Sequence, residues 1–201
     1  MAEAYDRPAD QPEEVEVTAI LEQAELTLPD LGVPEQFKKA EIIAGALVMS
    51  PLRFAHGETI FQLQTQLAQQ LPPEFWFVYD VLIPFEPKVH EFCPDLAIVP
   101  RANLRPSTSM CKPEWVEFVI EVIAPTTRDF DYGAKVAVYA KAGIPEYVIF
   151  DPYSCSATRY AQPRDGDYAL RQLVRYGEPV KLELPYSVVL ETAQLPAEPR
   201  S

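Results

Sequence analysis

Two hydrophobic periods alternate along the chain, and together they predict a mixed α/β fold. Residues 41–51, EIIAGALVMSP, set apolar arms on either side of Ala44-Gly45, the pattern of a β-hairpin. From 54 to 71 the apolar positions Ile60, Leu63, Leu67 and Leu71 recur every three or four residues, with Gln62, Gln64, Gln66, Gln69 and Gln70 between them. That spacing predicts an amphipathic helix, stopped by Pro72-Pro73. Residues 75–85 are rich in aromatics and valine and read as one strand. PDLAIV, residues 94–99, reads as a short strand, and residues 100–114 as a loop. Residues 115–123 predict a central strand, and 129–142 a helix with Gly143 at its C-terminal stop. The strand expected at 147–150 should run parallel to 115–123, because a helix connects them. Short alternating segments at 157–161, 168–174 and 180–184 predict an antiparallel meander over one edge. Pro34 predicts a short helix from there through Lys39.

The length of 201 residues suits one domain with a core of its own. We place that domain at 31–195, between an acidic, Pro-rich tail at 1–30 and a C-terminal tail at 196–201. Val15, Val17, Ile20 and Leu21 are the candidates for a short helix or interaction segment within the first tail. The 21 prolines beside only 7 glycines favour stiff loops and exposed edges. No apolar run approaches the ~20 residues of a membrane span, and no signal-peptide pattern precedes the acidic segment. Cys93, Cys111 and Cys155 are odd in number and widely spaced. They are expected to be reduced thiols, neither a disulfide frame nor a zinc site, in a cytoplasmic protein.

The net charge of −13 argues against non-specific nucleic-acid binding. Its distribution tempers that reading: residues 1–30 hold nine acids and one arginine, so the rest of the chain is only mildly acidic.

Candidate chemistry begins with Glu121, a carboxylate inside an apolar strand, where burial is expensive without a partner. Asp95 opens the PDLAIV strand. Two carboxylates on adjacent strands, with a backbone carbonyl, would make a hard-oxygen site suited to Mg²⁺ or Mn²⁺. The plain alternatives are a turn aspartate after Pro94 and a strand glutamate facing solvent or a lysine. Asp131, Lys135 and Tyr139 follow one another at i, i+4 on a helix face. They form either a surface ion pair or a face turned to Glu121, with Lys135 orienting a water and stabilising developing charge. Glu41 is a further candidate acid. His56 is expected to precede the long helix and to contact substrate or cap it; with His90 it makes no zinc cluster. Walker, GxGxxG and nucleophile-elbow patterns are absent.

These residues carry a resemblance. EVIAPTTRDFDYGAKVAVYAKAGIPEYVIFDP is similar to the signature of the Uma2 family (DUF820), a family of candidate restriction endonucleases: E-V-x-S-P-S-T, then D-x-x-x-K-x-x-x-Y, then G-V-x-E-Y-W and D-P. EIIAGALVMSP resembles its E-L-I-D-G-E-L-x-x-S-P hairpin, CPDLAIV its P-D-L-x-V strand, and His56 falls where the family has a histidine. The resemblance runs from about Glu41 to Pro152. It implies a PD-(D/E)xK-like fold, a restriction-endonuclease-like central mixed sheet flanked by helices. It also implies roles. Asp95 and Glu121 would be the two catalytic acids and metal ligands, joined by the Val122 carbonyl and by Glu41. Lys135 would supply from the helix the lysine that the strand lacks, since position 123 is Ile. His56, Asp131 and Tyr139 would support them. Ala44, Ala46, Ala124 and Val148 depart from the family pattern without removing an implied ligand. The function implied is a Mg²⁺- or Mn²⁺-dependent endonuclease acting on DNA. The alternative is a catalytically inactive nuclease-fold binding or assembly module. A homodimer would gather Arg101, Arg105, Arg128, Arg159 and Arg164 around a shared cleft.

Overall fold

A computed structural model of the chain describes residues 18–19, 27, 29, 39–50, 53–125, 127–183 and 186–198. Its main body is a six-stranded sheet of mixed sense. The central strand β8 (Phe118–Val122) runs parallel to β9 (Glu146–Asp151) and antiparallel to β7 (Leu96–Pro100). Beyond β7 lies β4 (Phe75–Val78); beyond β9 lie β10 (Ser156–Arg164) and β11 (Asp167–Arg175). Every residue of β8 and β9 is buried, which is what a strand covered on both faces requires.

A second, five-stranded antiparallel sheet has the order β1-β3-β2-β6-β5. Its strands are β1 (Thr18–Ala19), β2 (Lys39–Ile43), β3 (Ala46–Ser50), β5 (Ile83–Glu86) and β6 (His90–Phe92). The predicted hairpin is β2–β3. Ala44 and Gly45 turn it with φ of 51° and 78°, the double positive φ that matches the twist of a tight hairpin. The helix α1 (Phe54–Gln70) packs on the opposite face of the six-stranded sheet, with the pair β12 (Val180–Leu182) and β13 (Val188–Leu190).

Alternation along β8 divides the core. Phe118, Ile120 and Val122 join Leu63 and Leu67 of α1. Val119 and Ile123 face Ile43, Val48, Ile83 and Phe92 of the second sheet, with Val136 and Tyr139 of the crossover. Glu121, between Val119 and Ile123, therefore points to the junction of the two sheets.

Several expectations are corrected. Residues 75–85 are not one strand: β4 and β5 belong to different sheets, parted by a turn in which Asp80 has φ 53°. Pro84 sits inside β5, an edge strand beside a register shift, where a missing N–H is tolerated. The C-terminal antiparallel meander is present in β10 and β11, which extend the main sheet at its edge, but its third segment, β12, pairs with β13 instead. Lys39 lies in β2 and not in a helix; residues 34–38, like Val15, Val17, Ile20 and Leu21, lie outside the described residues.

The predicted helix at 129–142 is broken into α2 (Arg128–Tyr132) and α3 (Ala134–Lys141). Gly133 makes the break, at φ −117° and ψ −96°. A Cβ there would lie 2.7 Å from the Asp129 carbonyl oxygen, closer than packing allows. Gly133→Ala is expected to destabilise the fold by roughly 1–3 kcal/mol, a fall in Tm of several degrees by calorimetry. An unchanged Tm would show that the break does not depend on the missing side chain.

Candidate functional site

Residues two apart on a strand share a face, so Lys39 and Glu41 of β2 project with Ile43 into the junction between the sheets. From the other side come Asp95, one residue before β7, and Glu121 of β8. The crossover adds Asp131 from α2 and Lys135 and Tyr139 from α3. His56 reaches in from the first turn of α1, so it lies within the helix and not before it.

The distances define one connected cluster. The Lys39 ammonium donates to Asp95 Oδ1 and Glu121 Oε2, at 2.9 Å each. Lys135 Nζ lies 2.8 Å from Glu41 Oε2, 2.8 Å from Glu121 Oε1 and 3.0 Å from Asp131 Oδ1. The Tyr139 hydroxyl donates to Glu121 Oε1 at 3.1 Å. Asp95 Oδ2 accepts from the Val122 amide at 2.7 Å and lies 3.2 Å from His56 Nε2. Glu41 Oε1 accepts from the Cys93 amide at 2.9 Å, and Asp131 Oδ2 from the Thr127 hydroxyl at 2.8 Å. The side chains of Lys39, Glu41, His56, Asp95, Glu121, Thr127, Asp131, Lys135 and Tyr139 are all buried; Lys135 is fully excluded from solvent, and Lys39, at 9 %, is the most exposed of them.

Four carboxylates thus face two ammonium groups, a formal excess of two acids, with His56 beside Asp95. Burial makes that excess costly. For Glu121, burial outweighs the attraction of Lys135 and Lys39, and Asp95 and Glu41 add repulsion, so its carboxyl is pushed up to about 7. Burial raises Asp131 as well, against the pull of Lys135. Asp95 goes the other way: burial is overcome by Lys39, the His56 contact and the Val122 amide, which hold it well below the usual carboxylate range. Both lysines are held above their ordinary values despite burial, Lys39 chiefly by Asp95 and Glu121, Lys135 by Asp131 and Glu121.

The sequence-derived residues Glu41, Asp95, Glu121, Asp131, Lys135 and Tyr139 therefore meet at one place. Asp95 and Glu121 share a sheet face, and Asp131–Lys135 is a buried pair, not a surface one. What the structure shows of Val122 at the site is its amide, a donor to Asp95. Lys39 is the residue that sequence reasoning missed; its signal was the i, i+2 spacing to Glu41. Among the described residues, no three His, Cys, Asp or Glu side chains form a ready-made metal cluster, because the carboxylates close on ammonium groups. The donor set nonetheless suits a hard divalent ion: an oxygen of Asp95 and one of Glu121 already share a single cation.

The arginines proposed for a shared cleft have local partners. Arg159 is buried against Glu146, with contacts of 2.8 and 3.0 Å. Arg128 pairs with Asp151 at 2.7 Å, Arg101 lies over Trp76, Arg105 donates to the Ala102 and Leu104 carbonyls, and Arg164 pairs with Asp165. The three cysteines are free. No helix among the described residues is long and apolar enough to cross a membrane.

A raised carboxyl has a signed consequence. Between its ordinary value of 4.5 and about 7, Glu121 keeps a proton in the folded chain that the unfolded chain releases. Its contribution to stability is present in full below the lower value and lost as pH rises through the upper one. The difference in Tm between wild type and Glu121→Gln should therefore change steadily across that window in metal-free buffer. Parallel Tm profiles would contradict the raised carboxyl.

Comparison with known proteins agrees with this frame. The model of the Uma2 family, described as "Putative restriction endonuclease", matches residues 10–194. No curated protein matches the chain. Among solved structures, the fold is similar to a "putative nuclease belonging to DUF820" from Anabaena variabilis ATCC 29413, with a TM-score of 0.57. The two share 15% sequence identity over 78% of this chain and 89% of that one. With a family match that spans nearly the whole sequence, the chain belongs to the Uma2 family.

Proposed function

We propose that the chain is a metal-dependent endonuclease that hydrolyses DNA phosphodiester bonds, with Mg²⁺ or Mn²⁺ held by Asp95 and Glu121. The observation that carries this reading is the convergence of those two carboxylates, from adjacent strands, on one cationic centre at 2.9 Å each. Membership of a family described as restriction endonucleases supports DNA as the substrate class.

In this reading, a bound ion supplies Lewis-acid polarisation of the scissile phosphate and lowers the pKa of a coordinated water. The rest is the work of the chain. Asp95, fixed by the Val122 amide and by His56, presents an ionised oxygen. Glu121 presents one oxygen at the same point, while Lys135 and Tyr139 bind its other oxygen and set its orientation. The Val122 carbonyl would add an oxygen to the set, and Glu41 would be an outer ligand. Lys135, surrounded by three carboxylates, stabilises negative charge that develops beside Glu121; Asp131 anchors it on the helix side.

The test is cleavage of supercoiled plasmid and short DNA duplexes during titration with Mg²⁺ or Mn²⁺. Wild type should cut only with metal, and Asp95→Asn and Glu121→Gln should be slower by about 100-fold or more. These variants are preferred to Lys135→Ala, because removing a buried cation from among carboxylates costs about 3–5 kcal/mol of stability. A wild-type rate no higher than that of Glu121→Gln would overturn the enzymatic reading and leave a non-catalytic binding module.

A further inference from the structure

Two lysines serve the same cluster in different ways. The ammonium of Lys135 has three hydrogens, and three carboxylates surround it at 2.8, 2.8 and 3.0 Å. It has no exposed surface, so no route leads it out without unfolding the junction. Lys39 binds two carboxylates among the described residues, and it keeps a small opening to solvent. It stands on β2 of the five-stranded sheet, whereas its acceptors lie on the six-stranded sheet's side, Glu121 in β8 and Asp95 just before β7, so its side chain can leave without disturbing the strands that carry them. Its nitrogen touches the two oxygens that a divalent ion would need. Ammonium and metal cannot share that point, because like charges at such a distance repel strongly in a buried site.

We propose that Lys39 is a tethered counter-cation: it bridges Asp95 and Glu121 while the site holds no metal, and it swings toward solvent when a divalent ion takes its place. This rests on the metal reading of the site given above. Lys39 keeps two buried carboxylates apart from each other's repulsion, so the acids remain positioned before the ion arrives. It also sets a threshold, since any ion must displace an ammonium that is already bound. Small divalent ions with oxygen preference satisfy both carboxylates at once; monovalent ions gain too little to displace it.

The test uses the full chain and Mn²⁺ alone. Calorimetric titration of Lys39→Met should show Mn²⁺ binding about tenfold tighter than wild type or more, because the competing charge is gone. Lys39→Arg should bind no more tightly than wild type. On the wild-type chain, acylation of the Lys39 amine by an amine-reactive ester, read by peptide mass, should rise several-fold on adding Mn²⁺. The same addition should leave Asp95→Asn unchanged. Equal or weaker Mn²⁺ binding by Lys39→Met overturns the proposal and spares the metal site. If Lys39→Met does not fold, the labelling decides: Lys39 equally protected with and without bound Mn²⁺ overturns it. Failure of every variant and of wild type to bind Mn²⁺ overturns the metal site, and the role of Lys39 with it.

Discussion

Two buried ammonium groups hold four buried carboxylates in place, and the junction between the two sheets depends on that balance. Each acid comes from a different element: Glu41 from β2, Asp95 from the start of β7, Glu121 from β8 and Asp131 from α2. Lys39 and Lys135 tie them together across the gap. A core meant only for stability would be better served by apolar side chains of similar volume, because desolvating so many charges cancels much of their attraction. The excess of four acids over two lysines sharpens the point. The protein carries, at its centre, an electrostatic deficit that a proton on Glu121 relieves in part and that a divalent ion in place of the Lys39 ammonium would reduce by one charge.

The surrounding structure is arranged to hold that deficit. Apolar residues of β8 alternate to both faces, leaving Glu121 as the charged member of the face that meets the second sheet. The β2–β3 hairpin delivers Lys39 and Glu41 together. Tyr139 packs its ring against Phe85, Phe92 and Tyr147 while its hydroxyl binds Glu121, so one side chain seals the cluster from solvent and satisfies an acid. The break at Gly133 sets α3 off from α2, yet Asp131 and Lys135 still meet across it.

Much of this was legible in the sequence, where local rules and tertiary demands agreed. The apolar arms around Ala44-Gly45, the PDLAIV strand and the strand–helix–strand crossover are read from patterns that no long-range contact overrides. Asp95, Glu121 and Lys135 stood out because charges in apolar surroundings need partners. Illegible features were those decided at a distance. The run 75–85 keeps strand composition throughout, and only the turn at Asp80, with its positive φ, sends its halves to different sheets. Gly133 reads as a helical position until a Cβ is placed against the Asp129 carbonyl. Lys39 was hidden by Pro34, whose helix-starting tendency suggested the wrong element. Its partners lie 56 and 82 residues away along the chain, a separation that no local window reaches.

The most direct measurement is a crystal structure of the chain soaked in Mn²⁺, with the ion located by anomalous scattering. The account predicts a manganese peak between Asp95 and Glu121, with the Lys39 nitrogen gone from its 2.9 Å contacts to both. A structure in which Lys39 still bridges the two carboxylates, with manganese bound elsewhere or nowhere, would contradict it.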